Sequence, residues 1–133
     1  MPGERNLAAL LQNMMPEMHE GVFVFCSIPE GKEIPATLRP IHIFREREGT
    51  AFIIRREEAE TANLPYQFAS RLITLTVHSS LEAVGFLAAI TGRLAEAGIS
   101  VNPVSAFYHD HLFVPEHRAE EALHLLQNMS GPA

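Results

Sequence analysis

The chain has 133 residues, 47% of them apolar and 20% charged, with a formal net charge of −6 and a single cysteine. That composition is globular, with length for one substantial core or two small modules sharing one. The ten Lys and Arg are scattered, and around Arg45, Arg47, Arg55 and Arg56 they alternate with Glu46, Glu48, Glu57 and Glu58. A polyanion would meet net repulsion and no basic stripe, which argues against nucleic acid as a partner.

A lone cysteine allows neither an intramolecular disulfide nor a thiolate cluster. Cys26 lies in the apolar run Val22-Phe23-Val24-Phe25-Cys26 and reads as a small buried hydrophobe. No run approaches the roughly twenty apolar residues of a membrane helix. The first residues, with Glu4 and Arg5, lack the pattern of a signal peptide. A cytoplasmic protein without a membrane partner is expected. Walker and dinucleotide fingerprints are absent, and no cofactor is implied.

In chain order, Leu7, Leu10, Leu11, Met14 and Met18 recur at the spacing of one helical face, with Asn6 as a cap and Gly21 beyond the end. Pro16 within that pattern stops or kinks the helix. Residues 22–28 form a strand apolar on both faces, hence a central one. Residues 29–40 carry three prolines and Gly31 and read as a surface loop. Residues 41–44 and 51–54 pair as strands around the polar Arg45-Glu46-Arg47-Glu48-Gly49-Thr50 turn. A short helix follows over 56–62. Residues 71–78 alternate, with Ile73, Leu75 and Val77 on one face and Thr74, Thr76 and His78 on the other.

Leu87, Ile90, Leu94 and Ala97 mark the clearest helix, ended by Gly98. Residues 101–107 form a strand that Pro103 confines to an edge or distorts. A tight turn over 108–111 leads into Leu112-Phe113-Val114. A last helix then opens at Pro115 or Glu116, with Ala119, Ala122, Leu123, Leu126 and Met129 inward. Residues 130–133 are too few for a useful strand. Phe52-Ile53-Ile54-Arg55-Arg56-Glu57-Glu58-Ala59 parallels Leu112-Phe113-Val114-Pro115-Glu116-His117-Arg118-Ala119, a weak internal repeat.

Residues 71–129 thus read β-α-β-β-α, a split β-α-β module of the α+β class. A ferredoxin-like sheet needs one more strand after Met129. Its bare edge must be covered by another segment, for which residues 22–28 are the best internal candidate, or by a partner subunit.

Leu72-Ile73-Thr74-Leu75-Thr76-Val77, Gly85-Phe86-Leu87, Leu94-Ala95 and Gly98-Ile99-Ser100-Val101-Asn102 resemble an ACT domain. The chain is similar to the stand-alone bacterial ACT-domain proteins with two ACT-like halves, through Phe23-Val24-Phe25-Cys26, Phe44-Arg45-Glu46, the HSSLEAVG stretch and Tyr108-His109-Asp110-His111-Leu112-Phe113-Val114-Pro115. The resemblance spans nearly all of residues 7–126. It implies a degenerate ACT-like half over 1–65 and an ACT domain over 66–133, both ferredoxin-like. It also implies a regulatory sensor of an amino acid or similar zwitterion, acting as a homodimer, with a regulated enzyme as a further partner.

In that family the ligand sits in the loop after the first strand and at the start of the first helix. The matching positions are His78, Ser79, Ser80, Leu81, Glu82, Ala83, Val84 and Gly85, with Val84 where the family's motif has proline. Physically, orphan amides near residues 80–83 can hold a carboxylate, and Ser79 and Ser80 add hydroxyls. Glu82 can accept from an α-ammonium, and Gly85 allows close approach. The same residues also suit an ordinary helix cap and first-turn acid. Asn102 is placed to reach the crevice or to bond its own backbone. Arg39, Arg45 or Arg71 can complete an anion site.

His109-Asp110-His111, with His78, is the rival constellation: in an extended segment two rings point the same way and suit a metal. No third ligand or HExxH motif accompanies them. Ser79 or Ser80 beside His78 lacks a GxSxG elbow, and nothing near Cys26 activates its thiol. The expectation is a ligand-binding protein without catalysis or metal. A ligand-free interaction module and a histidine- or metal-dependent enzyme are the alternatives.

Overall fold

Proline decides the first departure from the helical pattern. A computed structural model of the chain describes residues 3–129, so the tail at 130–133 lies outside the described residues. Helix α1 covers Leu7–Asn13, with the Asn6 side chain accepting from the Ala9 amide at 3.0 Å. It does not continue to Met18. Met14 and the residues after it turn extended ahead of Pro16, and Pro16–Met18 forms strand β1 instead. A residue preceding proline is pushed out of the helical region, and proline lacks the amide that a continuing helix needs.

The remaining elements are strand β2 (Phe23–Pro29), β3 (His42–Glu46), β4 (Gly49–Arg55), α2 (Arg56–Thr61), β5 (Gln67–Leu75), α3 (Phe86–Glu96), β6 (Asn102–Ser105), β7 (Asp110–Pro115), a 3-10 turn (Glu116–Arg118) and α4 (Ala119–Gln127). They divide into two compact units, Gly21–Ser70 and the residues on either side of it. Strand β5 contributes its residues 67–70 to the inner segment and 71–75 to the flanking unit.

The flanking unit is β-α-β-β-α over β5, α3, β6, β7 and α4, with sheet order β1, β5, β7, β6. The strand missing after α4 comes from the chain's beginning: Pro16 pairs Leu75, Glu17 pairs Thr74 and Met18 pairs Ile73. Residues 22–28, the best internal candidate for that edge, do pair with β5 but share it with β1. They meet β5 only further along, at Phe23 with Ser70 and Phe25 with Gln67. Strand β6 is an edge, as Pro103 requires. Leu10 of α1 and Met14 just beyond it share one core with Ile73, Leu75, Phe86, Ile90, Leu94, Leu112, Val114, Ala122 and Leu126.

The inner unit runs β2, β3, β4, α2 and the start of β5, in the order β3, β4, β2, β5. Residues 30–41 replace the first helix with turns, closed by Lys32 N–H to the Pro29 carbonyl and Leu38 N–H to that of Pro35. Ile34 and Leu38 of this loop pack on Val24, Cys26, Phe52, Ile54 and Ala59, supplying the apolar cover a helix would otherwise give. The Glu58 carboxylate anchors the arrangement by accepting the Arg39 and Arg55 amides. Cys26 is buried here, and desolvation pushes its thiol pKa up. Ala59 and Ala119, paired in the sequence repeat, are both fully packed at the starts of α2 and α4. Both units are therefore ferredoxin-like, one with a helix replaced by loop.

Among the described residues no helix is long and apolar enough to cross a membrane. Leu10 is fully buried, so Leu10→Ala should cost about 2–5 kcal/mol by leaving a cavity. Urea unfolding of the full chain checks whether α1 is integral to that core.

Candidate functional site

Strand β5 ends at Leu75 because Thr76 turns aside: both its amide and its hydroxyl donate to the Met15 carbonyl. The chain then loops from Thr76 to Gly85. Gly85 precedes α3 with φ +88, a left-handed conformation that an L side chain disfavours. Helix α3 thus begins at Phe86, later than a serine cap would start it, and no side chain caps it. Its first amides, including those of Phe86 and Leu87, have no carbonyl one turn back to bind.

The amides expected to face a ligand are largely used by the chain itself. Ser80 N–H donates to the Glu4 carbonyl, Glu82 N–H to Ser80 Oγ and Ala83 N–H to the Ser80 carbonyl. Residues 3–4 form a strap against this loop, with Glu4 N–H also donating to the His78 carbonyl at 2.9 Å. Gly3 is required for that approach. A Cβ there would stand 2.7 Å from both the His78 oxygen and the Ser79 carbonyl carbon.

Among the described residues, two hollows border the loop. The inner one, about 80 Å³, lies against the start of α3 and is lined by Ser79, Ser80, Ala83, Phe86, Ser105 and Asp110, among others. The outer one, about 310 Å³, is a shallow hollow bordered by Gly3, His78, Ser79, Glu82 and Phe107. Of the residues singled out by sequence, Ser79 and Ser80 line both, His78 and Glu82 the outer one, and Gly85 sets the helix start. Val84 is 83% exposed. Asn102 pairs with Phe113, three residues along β6 from Ser105 and so about 10 Å from the inner hollow. Arg39 and Arg45 belong to the inner unit. Arg71 donates from Nη2 to the His19 carbonyl, and its Nε is buried without a partner among the described residues.

Asp110 was not selected from sequence, where it stood only between two histidines. It is 7% exposed and opens β7 opposite Ser105. Its two oxygens accept from the Ser105 hydroxyl at 2.5 Å and the Ser79 hydroxyl at 3.2 Å. The register could have found it: alternation along Asp110-His111-Leu112-Phe113-Val114 puts Asp110 on the core face with Leu112 and Val114.

The flanking histidines take separate tasks. His109 Nδ1 lies 3.3 Å from the Val77 carbonyl. His111 Nδ1 lies 2.9 Å from the Thr74 hydroxyl, whose other side is 2.8 Å from His19 Nε2. One hydroxyl proton serves one ring, so Thr74 donates to one histidine and accepts from the other. Among the described residues, no group of three or more His, Cys, Asp or Glu is arranged to hold a metal ion. Burial lowers the His111 pKa below its ordinary 6.5, helped by repulsion from His109 and His19 and opposed by Asp110.

Two outcomes follow from this geometry. Gly3→Val should detach the strap, so the Ser80 amide exchanges its hydrogen faster while core amides of β5 keep their protection. Exchange measured by NMR decides it. For His111, the unfolded chain takes up the proton first. The stability this ring contributes should be whole above pH 6.5 and fall as pH drops below it towards the depressed folded value. Thermal melts across that range should show the decline, and His111→Gln should flatten it.

A search of curated proteins finds none that matches the chain. Among solved structures, a Vibrio cholerae protein of unknown function, VC0802, described as a possible transport protein, is 44% identical; the match covers 90% of this chain and 92% of that one, with a TM-score of 0.82. Agrobacterium tumefaciens protein Atu0741 is 17% identical over 89% and 90% of the two chains, TM-score 0.77. The regulatory subunit of aspartate kinase from Thermus thermophilus is 12% identical over 90% and 97%, TM-score 0.68, a likeness of fold. The ACT domain family profile matches twice, over residues 2–71 and 67–128. This chain belongs to the ACT-domain family and carries two ACT units in tandem.

Proposed function

We propose that this protein is a non-catalytic regulatory sensor that binds a small amino acid or similar zwitterion at the loop between β5 and α3. One observation carries the reading: the inner hollow sets the uncapped start of α3 beside three serines, Ser79, Ser80 and Ser105. Uncapped helical amides favour a carboxylate, and the Ser80 hydroxyl, which accepts from the Glu82 amide and keeps its own proton to donate, adds a bond to it. Tandem ACT family matches support a regulatory, ligand-binding role in general.

The size of the hollow restricts the ligand. About 80 Å³ exceeds the roughly 10–15 Å³ that one water needs, yet falls below the roughly 300–1,000 Å³ of drug-sized sites. A small polar head fits, and any longer side chain must run outward past His78 and Glu82. Leu81, Val84, Phe107 and Tyr108 are exposed apolar residues on this loop and the β6–β7 turn. We place a second copy of the chain on them, so that a homodimer covers the ligand. Ligand binding would then favour one arrangement of the copies, and a regulated enzyme would read that arrangement.

A ligand-free interaction module is the second reading. It is favoured by the Glu4 strap and by the internal use of the Ser80, Glu82 and Ala83 amides.

Thermal melts of the full chain against the common amino acids separate the two. The sensor reading expects saturating stabilisation, about 2.7 kcal/mol at a hundredfold excess over Kd. Gly85→Val should abolish it, and sedimentation should show a dimer tightened by the same ligand. A flat response through millimolar amino acid would instead establish the interaction module.

A further inference from the structure

Asp110 is a charged group for which the described residues provide hydroxyls but no counter-charge. Buried carboxylates are ordinarily paired with a cation or coordinate one, because removal from water costs several kcal/mol. Here the chain supplies two serine hydroxyls, one to each oxygen. No Lys or Arg among the described residues pairs with Asp110, although it is 7% exposed. A carboxylate accepts about four hydrogen bonds in all. Two are taken, and the carboxylate lines the inner hollow with acceptor capacity to spare.

The surroundings select what can use that capacity. Its titratable neighbours in sequence are His109 and His111, whose rings are engaged with the Val77 carbonyl and the Thr74 hydroxyl. Neither ring lines the hollow, whereas Ser79, Ser80, Phe86 and Ala106 do. A neutral ligand group would leave the carboxylate without a counter-ion. An anionic one would be repelled. A primary ammonium carries both the positive charge and the donors that an acceptor-only site requires.

We propose that Asp110, and not Glu82, receives the ammonium group of the ligand and makes the site selective for small primary amines over their hydroxy or acylated counterparts. Ser79 and Ser105 act as positioning residues, holding the carboxylate oxygens so that the free lone pairs face the hollow. Glu82, exposed and bordering only the outer hollow, is left to contact whatever part of the ligand projects outward. The proposal deepens the sensor reading and rests on it for the ligand's carboxylate, but the ammonium half stands on Asp110 alone.

The test is a probe series read by calorimetry and thermal melts on the full chain. The probes are alanine, its hydroxy analogue lactate, N-acetylalanine and the carboxylate-free amine ethanolamine. The unmodified protein should bind alanine, with lactate and N-acetylalanine weaker by about ten- to a hundredfold, the value of a charge-assisted bond. Asp110→Asn should erase that preference, while Glu82→Gln should keep it. Lactate binding as well as alanine, or Asp110→Asn retaining the preference, would overturn the assignment and leave the amino-acid reading intact. Binding of ethanolamine without alanine would uphold Asp110 and remove the amino-acid reading. Failure of every amine would overturn both. Because the probes are compared on the unmodified chain, the series decides the matter even where Asp110→Asn does not fold.

Discussion

Backbone pairing along one edge of β5 is the constraint from which the rest follows. A β-α-β-β-α module leaves the first strand with a row of unpaired amides and carbonyls, and burying each of them unpaired would cost about as much as a lost hydrogen bond. Residues 16–18 meet Leu75, Thr74 and Ile73, and the His19 amide continues the edge by donating to the Leu72 carbonyl. The unit that contains the candidate site is therefore built from both ends of the chain, with Gly21–Ser70 set between its pieces.

That closure also brings the site's fixtures together. Once β1 lies beside β5, α1 falls onto the shared core through Leu10, with Met14 following from the connection. The Met15 carbonyl captures Thr76 and ends the strand, and the Glu4 backbone reaches His78 and Ser80. His19 is carried to the Thr74 hydroxyl, completing a chain of polar contacts to His111. The loop between β5 and α3 is thus held by segments some seventy residues earlier. Its polar groups are divided: the Ser80, Glu82 and Ala83 amides are satisfied within the chain, while the start of α3 and the Asp110 carboxylate face the inner hollow.

The two units show how far one fold tolerates lost elements. The inner unit lacks the helix that follows the first strand, yet Ile34 and Leu38 cover the same kind of apolar face from a turn-rich loop. Hydrophobic cover is required there, and helical backbone is one way among several to present it. A loop in place of the helix also removes the helix start that α3 supplies in the flanking unit.

Periodicity was enough for the longer strands and the long helices. Alternation around Ile73 and Leu75, the stripe through Leu87, Ile90 and Leu94, and the edge position of the Pro103 strand were all legible, because each depends on neighbours in sequence. The HSSLEAVG stretch likewise identified the loop, and the paired alanines marked the repeat. Three features were decided only by tertiary structure. Residues 16–18 became a strand because an edge 55 to 59 positions away needed partners, by the registers Met18–Ile73 and Pro16–Leu75. Orphan amides moved from residues 80–83 to the start of α3 because Gly85, not a serine, precedes the helix. Alternation could have put Asp110 on the core face, but its place in the hollow with no counter-ion among the described residues is a property of packing, and no local pattern of residues records what lies across a fold.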